Sequence, residues 1–184
     1  EELDAAWDDV SGAALDPKEV KRARKEEVDY VHKMQLYDKV PVEECVRMTG
    51  RNPISTRWID VNKGDATKPN YRSRLVAREI NTCKRTDLFA ATPKIEAMNM
   101  NITMAATGNR GEVIMVNDIS RAFFHAKVTR DVYVQLPPED VNSNEERMCG
   151  KFWFSMYRTR DAAQNWEEAY SEFMTSIGFD CLLY

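Results

Sequence analysis

MVNDISRAFFHA, residues 115–126, sets an acidic residue just beyond an apolar run and follows it with a small residue and two aromatics. The run Val113-Ile114-Met115-Val116 has the length and composition of a buried strand, which puts Asp118 at a strand end. A carboxylate there either caps the short helix that begins near Ser120 or is kept for a metal or a proton. Phe123 and Phe124 carry the same two readings, as core aromatics or as walls of a site.

Moving outward, residues 93–107 have the period of an amphipathic helix closed by Gly108, and 112–116 form the strand. The stretch DVYVQLPP, residues 131–138, is a short strand stopped by proline, and residues 161–177 are a helix closed by Gly178. Upstream, Asp16-Pro17-Lys18-Glu19 combines a capping acid, proline at the first helical position and a second acid. The helix it starts should run to about Tyr37. Val20, Ala23, Tyr30, Val31, Met34 and Tyr37 keep helical spacing, and Glu27 interrupts the stripe where an apolar residue belongs. ISTRWIDVN (54–62) and YRSRLVAREI (71–80) are rich in β-branched and aromatic residues, with turn residues KGDATKPN between them, and predict a β-hairpin. The order of elements predicts an α+β fold whose sheet is mostly antiparallel or mixed, because several connections are too short for crossovers.

Composition limits the function classes. The chain has 184 residues, 43% of them apolar and 10% aromatic, which excludes wholesale disorder and predicts a soluble protein. No apolar run approaches the roughly 20 residues of a membrane helix, and the start EELDAAWDDV shows no targeting signal. Cys45, Cys83, Cys149 and Cys181 are dispersed and the chain has only two histidines, a pattern that argues against zinc and favours an intracellular reducing compartment over a secreted protein in which the four could pair. Net charge is −4, but Arg47 to Arg85 holds ten basic residues against three acids, so a +7 segment sits in a chain that is otherwise −11. Such asymmetry suits a phosphate-facing surface as well as a solvated basic hairpin.

Strand alternation puts Arg72, Arg74 and Arg78 on one face with Val76, and Ser73, Leu75, Ala77 and Glu79 on the other. Guanidinium groups bind phosphate oxygens bidentately, so this face suits a triphosphate or a nucleic-acid backbone, although ordinary surface strands carry arginines too. A strand-end Asp118 adds a hard oxygen ligand of the kind Mg²⁺ takes beside substrate phosphates. Together they are parts that a nucleotidyl transferase needs.

Five blocks now resemble one family. RWIDVNKG with YRSRLVAREIN, LFAATP, VNDISRAFFHA, RDVYVQLPPED and CGKFWFSMYRTRDAAQNWEEAYSEFMTSIGF are similar, in order and spacing, to the fingers and first half of the palm of copia-type retrotransposon reverse transcriptases. The resemblance implies an N-terminal extension (1–16), an N-terminal helix with a fingers-like basic hairpin (17–92), and a partial palm (93–184). That palm would be an incomplete mixed or antiparallel sheet with helices on one face, truncated before the family's paired-Asp hairpin. It implies that Asp118 is the first metal-binding carboxylate and that Ile119 adds a backbone carbonyl to the same metal site. Phe123 would lie under the sugar of the incoming nucleotide and exclude a 2′-hydroxyl. Arg72 and Arg74 would touch the triphosphate, and Tyr157 would line nucleotide and template. Mg²⁺ is the family's cofactor; template-primer RNA or DNA and dNTP are its partners.

Two departures accompany the match. The family's glycine after SMY is Arg158 here, a bulky cation where the backbone should approach substrate. No Asp-Asp follows Asp118, and the chain's Asp-Asp, Asp8-Asp9, lies outside the match. With one carboxylate of three, the chain alone is expected to bind no Mg²⁺ and to be catalytically incomplete. The expectations are therefore an enzyme fragment that needs the rest of its polymerase, a nucleic-acid-binding remnant, or a structural subunit whose protein partners cover an open palm edge. Phe152, Trp153, Phe154, Trp166 and Phe173 are the aromatics such partners would cover.

Overall fold

Asp16 opens the first long helix as expected: its carboxylate accepts the Lys18 N–H at 2.8 Å, and Pro17 occupies the first turn. The structure is a computed structural model that describes residues 5–65, 67–80, 94–108, 113–142 and 147–179. The LFAATP block, Cys83 and Cys181 lie outside them. A two-residue antiparallel pair, β1 (Ala6–Trp7) with β2 (Ala14–Leu15), precedes helix α1 (Pro17–Lys33). Helix α1 ends four residues before the expected Tyr37. Gln35 adopts a left-handed backbone (φ 52°), which reverses the chain so that β3 (Tyr37–Pro41) can pair with a later strand. Helix α2 (Val42–Thr49) follows, closed by Gly50 at φ 68°.

The hairpin forms where the sequence predicts it, as β4 (Thr56–Asn62) antiparallel to β5 (Tyr71–Ala77). Arg72 faces Val61 and Arg74 faces Ile59 in the register, so the two arginines share a side of β5. Arg78 lies one residue beyond the strand's end. Asn62 Oδ1 tightens the turn by accepting the N–H groups of Gly64 and Asn70. A Cβ on Gly64 would lie 2.0 Å from the Lys68 carbonyl oxygen, so this turn admits only glycine there.

A three-stranded antiparallel sheet orders β3, β7 (Met148–Phe154) and β6 (Lys127–Gln135). The hairpin joins its edge through Ile54, which makes a parallel bridge to Val134 with two 2.8 Å hydrogen bonds. Helix α3 (Ile95–Thr107) lies before the Asp118 segment, a 3-10 turn (Ala122–His125) leads into β6, and α4 (Ala162–Ser176) follows β7. The core sits where α1, β5, the 3-10 turn and the sheet meet: Leu36, Leu75, Phe124, Val132, Val134 and Phe152 are all buried. Phe152 is therefore core rather than surface, whereas Trp153 and Phe173 are exposed. Cys45 and Cys149 are free, buried thiols, and burial first, then the neighbouring Cys45, Glu44 and Glu43, pushes Cys149 up to about 11. Neither suits a nucleophile.

One expected element is absent. Residues 113–119 form no strand, and Val113, Ile114, Met115 and Val116 are all exposed. An apolar run becomes a buried strand only when a neighbour supplies a hydrogen-bond ladder and cover, and no described strand does so. Helix α3 shares this state: it has no buried residue, and Ile95, Met98, Met100, Ile102 and Met104 face outward. The described sheets are antiparallel, one of the two expected arrangements, are linked at Ile54 and contain no Asp118 strand.

The Asp8-Asp9 pair has a structural task. Asp8 accepts the N–H groups of Val10, Ser11 and Asn62, and Asp9 accepts that of Asp60, which covers the outer edge of β4. The backbone donors of Ser11, Asn62 and Val10 hold the Asp8 carboxyl at about 2, below its ordinary 3.8. A depressed folded-state value means stability that is present above pH 3.8 and is lost as pH falls towards 2. Asp8→Asn is expected to flatten the pH dependence of thermal unfolding in that window; an unchanged profile would show that Asp8 contributes nothing to it.

Candidate functional site

Tyr157 is the centre of the candidate site. Its carbonyl accepts the Ala77 N–H at 2.9 Å, which ties the segment after β7 to the end of β5. From β5, the Arg74 guanidinium lies over the Tyr157 ring, 5.2 Å from its centroid. From the 3-10 turn, Phe123 meets the ring edge-on at 5.7 Å and Phe124 packs against it at 4.9 Å. Phe124 is the core member of the pair, 1% exposed, whereas Phe123 is half-buried. The structure therefore brings Arg74, Phe123 and Tyr157 together, with Arg72 exposed two residues along the same side of β5.

Electrostatics agree with the geometry. Burial and the Glu27 charge raise the Tyr157 phenol above its ordinary ionisation range, while Arg74, Arg121 and Arg72 pull it back. Three cations and one carboxylate thus act on one ring. Two of these residues were not singled out as site residues from the sequence. Arg121 adopts a left-handed backbone (φ 53°), lies 4.0 Å from the Tyr30 ring centroid and donates to Glu27 Oε2 through Nε (2.9 Å) and Nη2 (2.8 Å). The available signal was Glu27 itself, the acid that interrupts the apolar stripe of α1.

Asp118 and Ile119 stand apart. Both are exposed in the extended segment, and among the described residues Asp118 makes no hydrogen bond or ion pair. Asp118 is not held in a helix cap, since the turn after it begins at Arg121 without a side-chain cap bond. As a Mg²⁺ site the donor set does not fit by itself: one exposed carboxylate is present, and no group of three His, Cys, Asp or Glu side chains clusters among the described residues.

Arg158, next to Tyr157, has φ 64°. This is the left-handed region that favours glycine, so the backbone keeps a glycine's conformation while the sequence carries an arginine. Arg78, expected beside Arg72 and Arg74, instead lines a separate cavity of about 400 Å³ with Arg51, Cys45, Glu79 and Tyr133. Among the described residues no helix is long and apolar enough to cross a membrane.

Comparison with known proteins shows the family. A family model described as reverse transcriptase (RNA-dependent DNA polymerase) matches residues 43–182. The chain is 27% identical over 130 residues to a retrovirus-related Pol polyprotein from transposon RE1 of Arabidopsis thaliana, covering 68% of this chain and 9% of that protein. It is 24% identical over 160 residues to the Pol polyprotein from transposon TNT 1-94 of Nicotiana tabacum, covering 84% of this chain and 12% of that protein. A similar match, 25% identical over 130 residues, is to the Pol polyprotein from transposon RE2 of Arabidopsis thaliana, with 68% of this chain and 9% of that protein covered. No solved structure gives a significant match. The chain thus spans about a tenth of the length of these curated relatives. It belongs to the reverse transcriptase family, and the Pol polyproteins it resembles are those of copia-type retrotransposons.

Proposed function

We propose that the chain is the substrate-facing part of an RNA-directed DNA polymerase, with residues 17–92 as fingers, 93–184 as the first part of the palm and 1–16 as an extension. Arg72 and Arg74 hold the triphosphate of an incoming deoxynucleotide, Phe123 lies under its sugar, and Tyr157 forms the wall beside nucleotide and template. The observation that carries this reading is the Arg74–Tyr157–Phe123 cluster, a cation and two aromatics drawn from three separate elements. Cations bind phosphate oxygens and flat rings pack against sugar and base, so the cluster has the chemistry of a nucleotide wall.

Asp118, with the Ile119 carbonyl, supplies one side of a Mg²⁺ site. Mg²⁺ bound there would supply charge stabilisation at the transferred phosphate, which needs carboxylates on both sides of it. These 184 residues carry only Asp118 of that set, so the chain by itself holds substrate without transferring nucleotides. A second reading is favoured by the outward-facing apolar residues of α3 and 113–116: a structural unit whose protein partners cover that surface.

Titration with a fluorescent deoxynucleoside triphosphate tests the wall. Arg72→Ala and Arg74→Ala are each expected to weaken binding about tenfold or more, the loss of a charge-assisted hydrogen bond. Equal binding by both variants and the parent chain would remove the assignment.

A further inference from the structure

Three buried side-chain polar atoms lack a hydrogen-bond partner among the described residues: Glu27 Oε1, Arg74 Nε and the Tyr157 hydroxyl. Two of them meet at one ring, and the third belongs to a carboxylate whose charge acts on it. Arg74 lies over Tyr157, and Glu27 is, after burial, the leading cause of the phenol's raised ionisation. Buried polar groups are almost always paired, so these three unpaired atoms mark an arrangement that a ligand or a small rotation completes.

Glu27 is the unexpected member. It lies on the buried face of α1, 3% exposed, at a position where an apolar side chain would pack without penalty. Its Oε2 takes both Nε and Nη2 of Arg121, and Arg121 immediately precedes the 3-10 turn that carries Phe123 and Phe124. Its Oε1 is left over.

We propose that Glu27 is a positioning residue of the nucleotide wall: Oε2 clamps Arg121, and with it the turn that presents Phe123, while Oε1 receives the Tyr157 hydroxyl when a triphosphate engages Arg74. This rests on the assignment of that wall to a nucleotide. A phosphate oxygen supplies the acceptor that Arg74 Nε lacks, and the phenol then donates to Glu27, so all three unpaired atoms are satisfied at once. The clamp places the recognition of substrate on α1, an element outside the wall itself.

The test uses the full 184-residue chain with tyrosines labelled at the phenolic carbon and followed by NMR, with Tyr157 assigned by Tyr157→Phe. In Glu27→Gln the Tyr157 resonance is expected to titrate at lower pH than in the parent, because the carboxylate charge is gone while Arg72, Arg74 and Arg121 remain. Affinity for dTTP should fall about tenfold in the same variant, with its melting temperature recorded alongside. Tyr157→Phe keeps the ring and removes only the hydroxyl; it should lose affinity to a similar extent and is read even if Glu27→Gln does not fold. An unmoved Tyr157 titration, or dTTP affinity unchanged in Tyr157→Phe, overturns the positioning role while leaving the nucleotide wall intact. If the parent chain does not bind dTTP, the wall assignment itself fails and the positioning role falls with it.

Discussion

Phe124→Ala is expected to lower unfolding stability by about 3–5 kcal/mol, read as a shift in urea midpoint at unchanged slope. Phe124 is 1% exposed, heads the fully buried side chains by size, and packs against Tyr157 at 4.9 Å and Tyr30 at 6.3 Å. Truncation leaves a cavity bordered by the ring that organises the site, so loss of stability and loss of the wall go together. Phe123→Ala, half-buried at the edge of the same cluster, should cost about half as much. Equal costs for the two substitutions would contradict the division into a core ring and a wall ring.

Arg24→Ala is expected to cost a similar 3–5 kcal/mol, for a different reason. Its Nη2 and Nε reach Asp60 at 2.7 and 3.3 Å, Nη1 reaches Glu139 at 3.1 Å, and the guanidinium lies over Trp58. Burial alone would lower the Arg24 pKa, but Asp60 and Glu139 outweigh it and the net shift is upward. Among the described residues, removing the arginine leaves the buried Asp60 carboxylate with the Ser73 hydroxyl alone, at 2.6 Å. The control is Arg22→Ala: Arg22 pairs with Glu19 at 2.7 Å but is 65% exposed, so its loss should change stability by less than about 1 kcal/mol. Comparable losses for Arg22 and Arg24 would mean that burial does not decide the value of these pairs.

Local signals and long-range ones fared differently. The cap of α1 and the β4–β5 hairpin are written in adjacent residues, and both form where the sequence puts them. Strand β7 escaped notice because MCGKFWF carries Gly150 at its middle, a residue that usually weakens a strand. In the fold that glycine lets the Tyr37 ring approach to 3.1 Å of where a Cβ would stand. The strand before Asp118 failed for the converse reason. Its residues have strand composition, but burial depends on a neighbour, and composition says nothing about whether one is there.

The site was legible in part. Alternation placed Arg72 and Arg74 on one side correctly, and the strand ended too early for Arg78 to join them. Tyr157, Phe123 and Arg74 come from elements far apart in sequence, and resemblance to the polymerase family, not spacing, connects them. Glu27 and Arg121 form a pair separated by 94 positions, and only the break in the α1 stripe hinted at it.

The proposed function gives these 184 residues a polymerase's substrate wall and, of its metal-binding carboxylates, Asp118 alone. Primer extension on an RNA template with Mg²⁺ or Mn²⁺ tests that most directly, comparing the purified chain with Asp118→Asn. The account predicts no templated incorporation and the same background from both, because a single carboxylate cannot hold metal on both sides of the transferred phosphate. Extension by the parent chain that disappears in Asp118→Asn would contradict it.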